Sequence, residues 1–200
     1  MQRVDYRAGF SLMELMIAVA LLTILVVKGA MLMKMVRTTN DTQTEAMLLN
    51  DQANLVLDRI SLAIVGSDRD TLFPQFEMPV HTSGVAYSVS LGLDETGNIV
   101  WGDPESIGLE GDGRVIWKQN PDEENERRLV WSDLVRPFLE GELANGFDDN
   151  GNGLVDEQGL SFVLFKNSVT IRVSLGVDPQ DPNSATRTVE TTVTVRNRPD

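Results

Sequence analysis

MQRVDYRAGFSLMELMIAVALLTILVV, residues 1–27, decides how the rest of the chain is read. A short polar leader carrying Arg3 and Arg7 ends at Gly9, and residues 10–27 then run apolar except for Ser11, Glu14 and Thr23. Wound as an α-helix, that run is about 27 Å long, close to the roughly 30 Å hydrocarbon core of a bilayer. The spacing predicts a membrane-spanning helix. Lys28 arrives early for a span, but a lysine stem lets its ammonium snorkel to the interface.

Glu14 is the residue that does not fit a plain anchor. A carboxylate one turn inside a span costs about 2.5–3.5 kcal/mol on insertion scales unless something neutralises it. Part of the answer is local, because Ser11-Leu12-Met13-Glu14 fits the S-x-x-E capping box and an acid suits the positive end of the helix dipole. A capping box normally sits in water, so a cationic partner is also expected.

A basic leader, Gly9, then Phe10-Ser11-Leu12, Glu14 and a long apolar helix resemble the class III leader of type IV prepilins, a family that includes type IV pilins and type II secretion pseudopilins. The resemblance implies that a dedicated membrane peptidase cuts between Gly9 and Phe10 and methylates the new amino terminus at Phe10. It also implies that Glu14 faces the amino group of Phe10 on a neighbouring subunit during assembly. Many pilins kink this helix with a proline; here the first proline is Pro74, and Gly29 is the breaker nearby. Two other membrane readings are weaker. Ala18-Val19-Ala20 matches a signal-peptidase site formally, yet a cut there would leave residues 21–27 dangling. An ordinary signal anchor gives no reason for Gly9, Phe10 and Glu14 at these positions.

The bulk numbers bound the remainder. Two hundred residues allow one membrane helix and one modest domain. The formal net charge is -13, and removal of residues 1–9, with two arginines and one aspartate, takes it to -14. So acidic a domain repels phosphate backbones, and nucleic acid is not expected as a partner. With no cysteine, neither disulfides nor thiolate metal sites arise. The positive leader places the amino end in the cytoplasm and the remainder outside, across an inner membrane.

Three segments follow: a leader (1–9), a membrane and assembly helix (10–37) and a soluble domain (38–200). Lys34 and Arg37 mark the exit into water. Beyond them Ala46, Leu49, Ala53, Val56, Ile60 and Ala63 recur at steps of three and four, flanked by Leu48, Leu55 and Leu62 at steps of seven. This predicts one helix of about fifty residues, stopping at Gly66, with fraying or a break expected in the polar run 38–44. Its soluble half covers less than three heptads, so a sheet of the same molecule is its expected partner rather than a coiled coil.

After Pro79 the period becomes two. Val85, Tyr87, Val89 and Leu91 alternate with smaller residues, and residues 94–98 turn the chain into 99–101. Residues 115–118 and 127–131 flank an acidic hairpin tip, with Trp117 and Trp131 as candidate neighbours. Residues 160–166, 169–175 and 188–196 read as an antiparallel meander. Val169, Ile171, Val173 and Leu175 face the core with Val189, Val193 and Val195, while Arg172, Glu190, Thr192 and Thr194 face out. Residues 178–185, with Pro179 and Pro182, form a solvated loop. The fold class is therefore α+β, a long amino-terminal helix on antiparallel sheet, which is also the architecture the prepilin resemblance implies. Within that family, the chain's length and many short strands resemble the minor pseudopilins of type II secretion, J type, or minor type IV pilins.

One stretch has metal-ligand spacing. In residues 145–157, NGFDDNGNGLVDE, the positions Asp148, Asn150, Asn152 and Gly153 satisfy D-x-[DN]-x-[DN]-G. The carbonyl of Leu154 and the side chains of Asp156 and Glu157 complete a candidate calcium set, with Val155 as an apolar anchor. Gly159 stands where a calcium loop of this type carries its bidentate glutamate. The alternative is a turn built from residues that favour positive φ and side-chain turns. Catalysis has little to stand on. His81 is the sole histidine, no G-x-S-x-G occurs, Gly111-Asp-Gly113 is too short for a phosphate loop, and the acidic run 122–126 reads as a solvated tip. The expected function is that of a non-enzymatic assembly subunit, whose partners are the prepilin peptidase and other pilin or pseudopilin subunits. The competing class is a membrane-tethered ligand-binding or adhesion module.

Overall fold

The computed structural model describes residues 11–75, 79–111, 113–181 and 184–195. The chain divides after Thr44 into two units, and the helix α1 (Leu12–Val65) begins in the first and ends in the second. The expected break at 38–44 does not occur. The hydroxyls of Thr38, Thr39, Thr42 and Thr44 each return to a carbonyl three or four residues back at 2.7–3.1 Å, so the polar run satisfies itself along the helix.

In the first unit every described side chain of α1 is exposed, including the apolar residues from Leu12 to Val36. Among the described residues this is the one helix long and apolar enough to cross a membrane. The character of α1 changes in the second unit. Leu49, Ala53, Val56, Leu57, Ile60 and Ile64 are buried, as a face packed on sheet requires. Ala46 is exposed, and so are Leu48, Leu55 and Leu62, which stand on the far side. The helix stops at Val65 where expected, but Gly66 is not left-handed. The stop is made by Ser67, whose hydroxyl (2.7 Å) and amide (3.1 Å) both donate to the Ile64 carbonyl.

Eight strands follow: β1 (Val80–Thr82), β2 (Gly84–Leu93), β3 (Ile99–Glu110), β4 (Arg114–Gln119), β5 (Arg127–Ser132), β6 (Leu160–Phe165), β7 (Ser168–Gly176) and β8 (Thr186–Thr194). They form two four-stranded sheets, ordered β1-β6-β7-β8 and β2-β3-β4-β5, and all pairings are antiparallel. With α1 packed against them, the architecture is the α+β one that the sequence predicts. The turn between β2 and β3 is tied by Asp94, which accepts from the amides of Thr96 and Asn98 at 2.8 Å each. The Thr96 hydroxyl, then the Asn98 amide, hold its carboxyl down at about 2.

Several boundaries differ from expectation. The strand expected at 99–101 continues to Glu110 through Gly102 and Pro104, and β1 has no counterpart in the sequence reading. Register places Trp117 opposite Leu129, with Trp131 two residues along, so the tryptophans are diagonal and not facing neighbours. The β6 strand ends at Phe165 because Lys166 turns at φ 55°, and β8 ends at Thr194, while Arg196 lies outside the described residues.

The core is shared by α1 and both sheets. Val56, Ile60 and Ile64 belong to one buried cluster with Tyr87, Ile107 and Val115 from one sheet and Phe162, Ile171 and Leu175 from the other. Of the residues expected to face out on β7 and β8, Glu190, Thr192 and Thr194 are exposed, but Arg172 is not, and there the structure corrects the sequence. Residues 133–159 form no helix or strand; they pair laterally with the end of β7, through Arg136 N to the Ser174 carbonyl (2.9 Å) and Ser174 N to the Gly159 carbonyl (2.8 Å), and reach its outer face where Glu140 N donates to the Ser174 hydroxyl (3.1 Å). Ser161, Ser174 and Glu157 are buried as a result. Arg172 lies under the same cover with only 20 % of its side chain exposed.

Candidate functional site

Two regions carry the chemistry anticipated from sequence, one in each unit. At the start of α1, Gly9 and Phe10 lie outside the described residues, and the helix opens at Ser11. There the capping box is closed: Glu14 N donates to Ser11 Oγ at 3.2 Å, and Ser11 N donates to Glu14 Oε2 at 3.1 Å. A carboxylate offers about four acceptor positions, so one such bond leaves capacity for an ammonium group. The local cap and an intersubunit pair are therefore compatible demands on one side chain.

The second region is the acidic loop, built from side chains that fold back on their own backbone. Asp148 Oδ1 accepts from Gly151 N (2.7 Å) and Asn152 N (3.1 Å), and its Oδ2 accepts from Gly153 N (2.7 Å). Asn150 Oδ1 accepts from Asn152 N at 3.0 Å, and Asn152 Oδ1 from Leu154 N at 2.9 Å. Such a coil needs left-handed residues, and Gly151 and Gly153 supply them at φ 75° and 90°.

The remaining candidates go elsewhere. Asp156 Oδ1 accepts the amides of Asn145 (3.0 Å) and Gly146 (3.1 Å), closing the loop at its base. Val155 is 48 % exposed and anchors nothing. Glu157 turns inward: it is fully buried, and its Oε1 accepts from Arg172 Nη1 (3.0 Å) and Ser161 Oγ (3.1 Å), while Oε2 meets the Asn152 amide nitrogen. Arg172 in turn holds Glu190 at 2.5 Å. Burial alone would push the Glu157 carboxyl up; the bonds from Asn152, Arg172 and Ser161 outweigh it and hold the group below the usual carboxylate range. His81, the lone histidine, stands beside this pair with Nε2 at 4.0 Å from Glu157 Oε1. Thus Asp148, Asp156 and Glu157 do not converge. Among the described residues no three acidic or histidine side chains gather as a metal cluster.

Sequence reasoning passed over Glu142. It lies three residues before the quoted stretch and is 5 % exposed, with Oε1 accepting from Asn150 N at 3.1 Å. Its Oε2 is buried with no hydrogen-bond partner. No periodicity points to it, because its burial comes from the covering segment and not from a helix or strand face.

No curated protein and no solved structure matches the chain. Residues 5–27 match the family model of the prokaryotic N-terminal methylation motif. That segment carries the Gly9-Phe10 boundary, the Ser11–Glu14 cap and the apolar opening turns of α1, and it marks the chain as a type IV prepilin-like protein with a class III leader.

Proposed function

We propose that the chain is a structural subunit of a pilus or type II secretion pseudopilus, of the minor pseudopilin kind. In this reading it is inserted with residues 1–9 in the cytoplasm and the second unit on the far side of the inner membrane. The prepilin peptidase cuts after Gly9 and methylates Phe10, and the subunit then packs through α1 against other pilin-type subunits. What supports this is one coincidence: the methylation motif at 5–27 leads directly into a helix whose opening turns expose apolar side chains on every side. A helix apolar all round needs lipid or other helices as its surroundings. Its role is assembly and not catalysis.

Intact-mass measurement of the membrane-extracted protein tests processing. The expected mature chain begins at Phe10 and carries one added methyl group. A chain that retains residues 1–9 in cells containing the peptidase, or one cut after Ala20, removes the reading.

Glu14→Gln separates the two jobs of the Glu14 side chain. Glutamine still closes a capping box, but it cannot neutralise a neighbour's ammonium group. Losing one member of a buried charge pair costs about 3–5 kcal/mol, so subunit cross-linking along α1 should fall by about tenfold or more while membrane insertion stays intact. Normal cross-linking in the variant would leave Glu14 as a helix cap alone.

A further inference from the structure

We propose that the acidic loop binds a calcium ion through a mixed set of oxygens, in which Glu142 supplies the carboxylate that the loop itself lacks. Counting from Asp148, the twelfth position of a calcium loop is residue 159, where a bidentate glutamate normally closes the ligand set. Here that position is Gly159, and a Cβ on it would lie 1.8 Å from the Arg136 carbonyl oxygen. No side chain fits there. Glu157 is two residues short and already gives one oxygen to Arg172 and Ser161.

Glu142 meets the need from the other side. Its Oε1 takes the amide of Asn150, the third loop position, so the carboxylate lies against the loop. Gly141 brings it there with φ 91°, so close that a Cβ would stand 3.3 Å from Asn150 Cβ. The second oxygen, Oε2, is sealed from solvent with no donor. A buried carboxylate oxygen without a partner is costly, and a cation is the partner that removes the cost. Asp148, Asn150, Asn152 and the Leu154 carbonyl are the oxygens the loop adds. A site with few carboxylates and several amide and main-chain oxygens suits a hard ion of flexible coordination, and a set with neither thiolate nor imidazole does not suit zinc. The proposal does not depend on the assembly reading.

Thermal unfolding of the full-length protein in detergent tests it, first with chelator and then with calcium up to the millimolar range typical of extracellular sites. Calcium at about a hundredfold excess over Kd should raise the midpoint by about 5–10 °C, and magnesium at equal concentration by less. Glu142→Gln keeps the shape and the acceptor for Asn150 N but removes the charge. Its apparent Kd should rise about tenfold or more, while its midpoint in chelator stays level or increases. Glu123→Gln, in the exposed turn after β4, should leave both unchanged. The proposal is overturned by an absent calcium shift in the wild type, by unaltered affinity in Glu142→Gln, or by equal weakening in Glu123→Gln. A Glu142→Gln protein that loses stability in chelator yet binds calcium like the wild type would make Glu142 a plain structural acceptor and defeat the proposal as well.

Discussion

Arg172→Met is expected to destabilise the folded protein by about 3–5 kcal/mol, the usual cost of stranding a buried charge. The side chain it strands is Glu157, which turns inward from the covering segment and is fully buried, with Ser161 and Asn152 as its remaining donors and His81 Nε2 at 4.0 Å. In a chain of this size each kcal/mol moves the midpoint by about 2–4 °C, so the drop should be on the order of 10 °C. Circular dichroism of the full chain in detergent reads it. The double variant Arg172→Met, Glu157→Leu should recover most of the loss, because a buried ion pair exchanged for apolar side chains is often close to neutral. A single variant within about 1 kcal/mol of the wild type would show that Ser161 and Asn152 alone satisfy the carboxylate.

The same pair fixes a pH dependence. The Glu157 carboxyl is held below its ordinary value of 4.5 in the folded protein, so the unfolded chain takes up its proton first as the solution is acidified. The stability it contributes is complete above 4.5 and disappears as the pH falls through the folded value. Acid unfolding of the double variant should accordingly begin at lower pH than that of the wild type, once both are set to equal stability at neutral pH.

Glu157 and Arg172 also mark where the sequence stops being legible. The rows Val169, Ile171, Val173, Leu175 and Val85, Tyr87 could be read because burial on one face of a strand leaves a period of two. Arg172 falls in the other row and was assigned to solvent on that period alone. What covers it is a segment whose backbone bonds go to β7 carbonyls and amides one at a time, so it carries no apolar repeat. A trace was present all the same, since the outward row of β6 and β7 includes Ser161 and Ser174, small residues that permit another chain to approach closely. Strand β1 was missed for a related reason. Three residues, Val80-His81-Thr82, are too few to show any period. In the acidic loop the spacing Asp148, Asn150, Asn152 was visible, whereas Glu142 could not be chosen from among the acids because its burial is a tertiary property. At the amino terminus the position was reversed: Gly9 and Phe10 were read from a local pattern, and the closed Ser11–Glu14 box needed no tertiary information at all.

Ile60→Ala is expected to cost about 2–5 kcal/mol, whereas Leu62→Ala, two residues away on the same helix, should stay within about 0.5 kcal/mol. Hydrophobicity alone cannot separate these residues, and both belong to regular rows in the sequence. Burial separates them: Ile60 is fully enclosed in the core that α1 shares with both sheets, while Leu62 is 76 % exposed. Truncating Ile60 deletes three carbons where Val56 and Ile64 on the helix, Tyr87 and Phe162 on the sheets, can relax only in part, so a cavity term adds to the lost transfer energy. Truncating Leu62 removes surface that water already reaches. The row Leu48, Leu55 and Leu62 thus contributes little to folding of the isolated chain, although it repeats every seven residues. Paired thermal unfolding of the two variants decides the matter. Comparable losses from both would mean that the outer row is covered in the folded protein and that the helix packs through a wider face than the buried residues define.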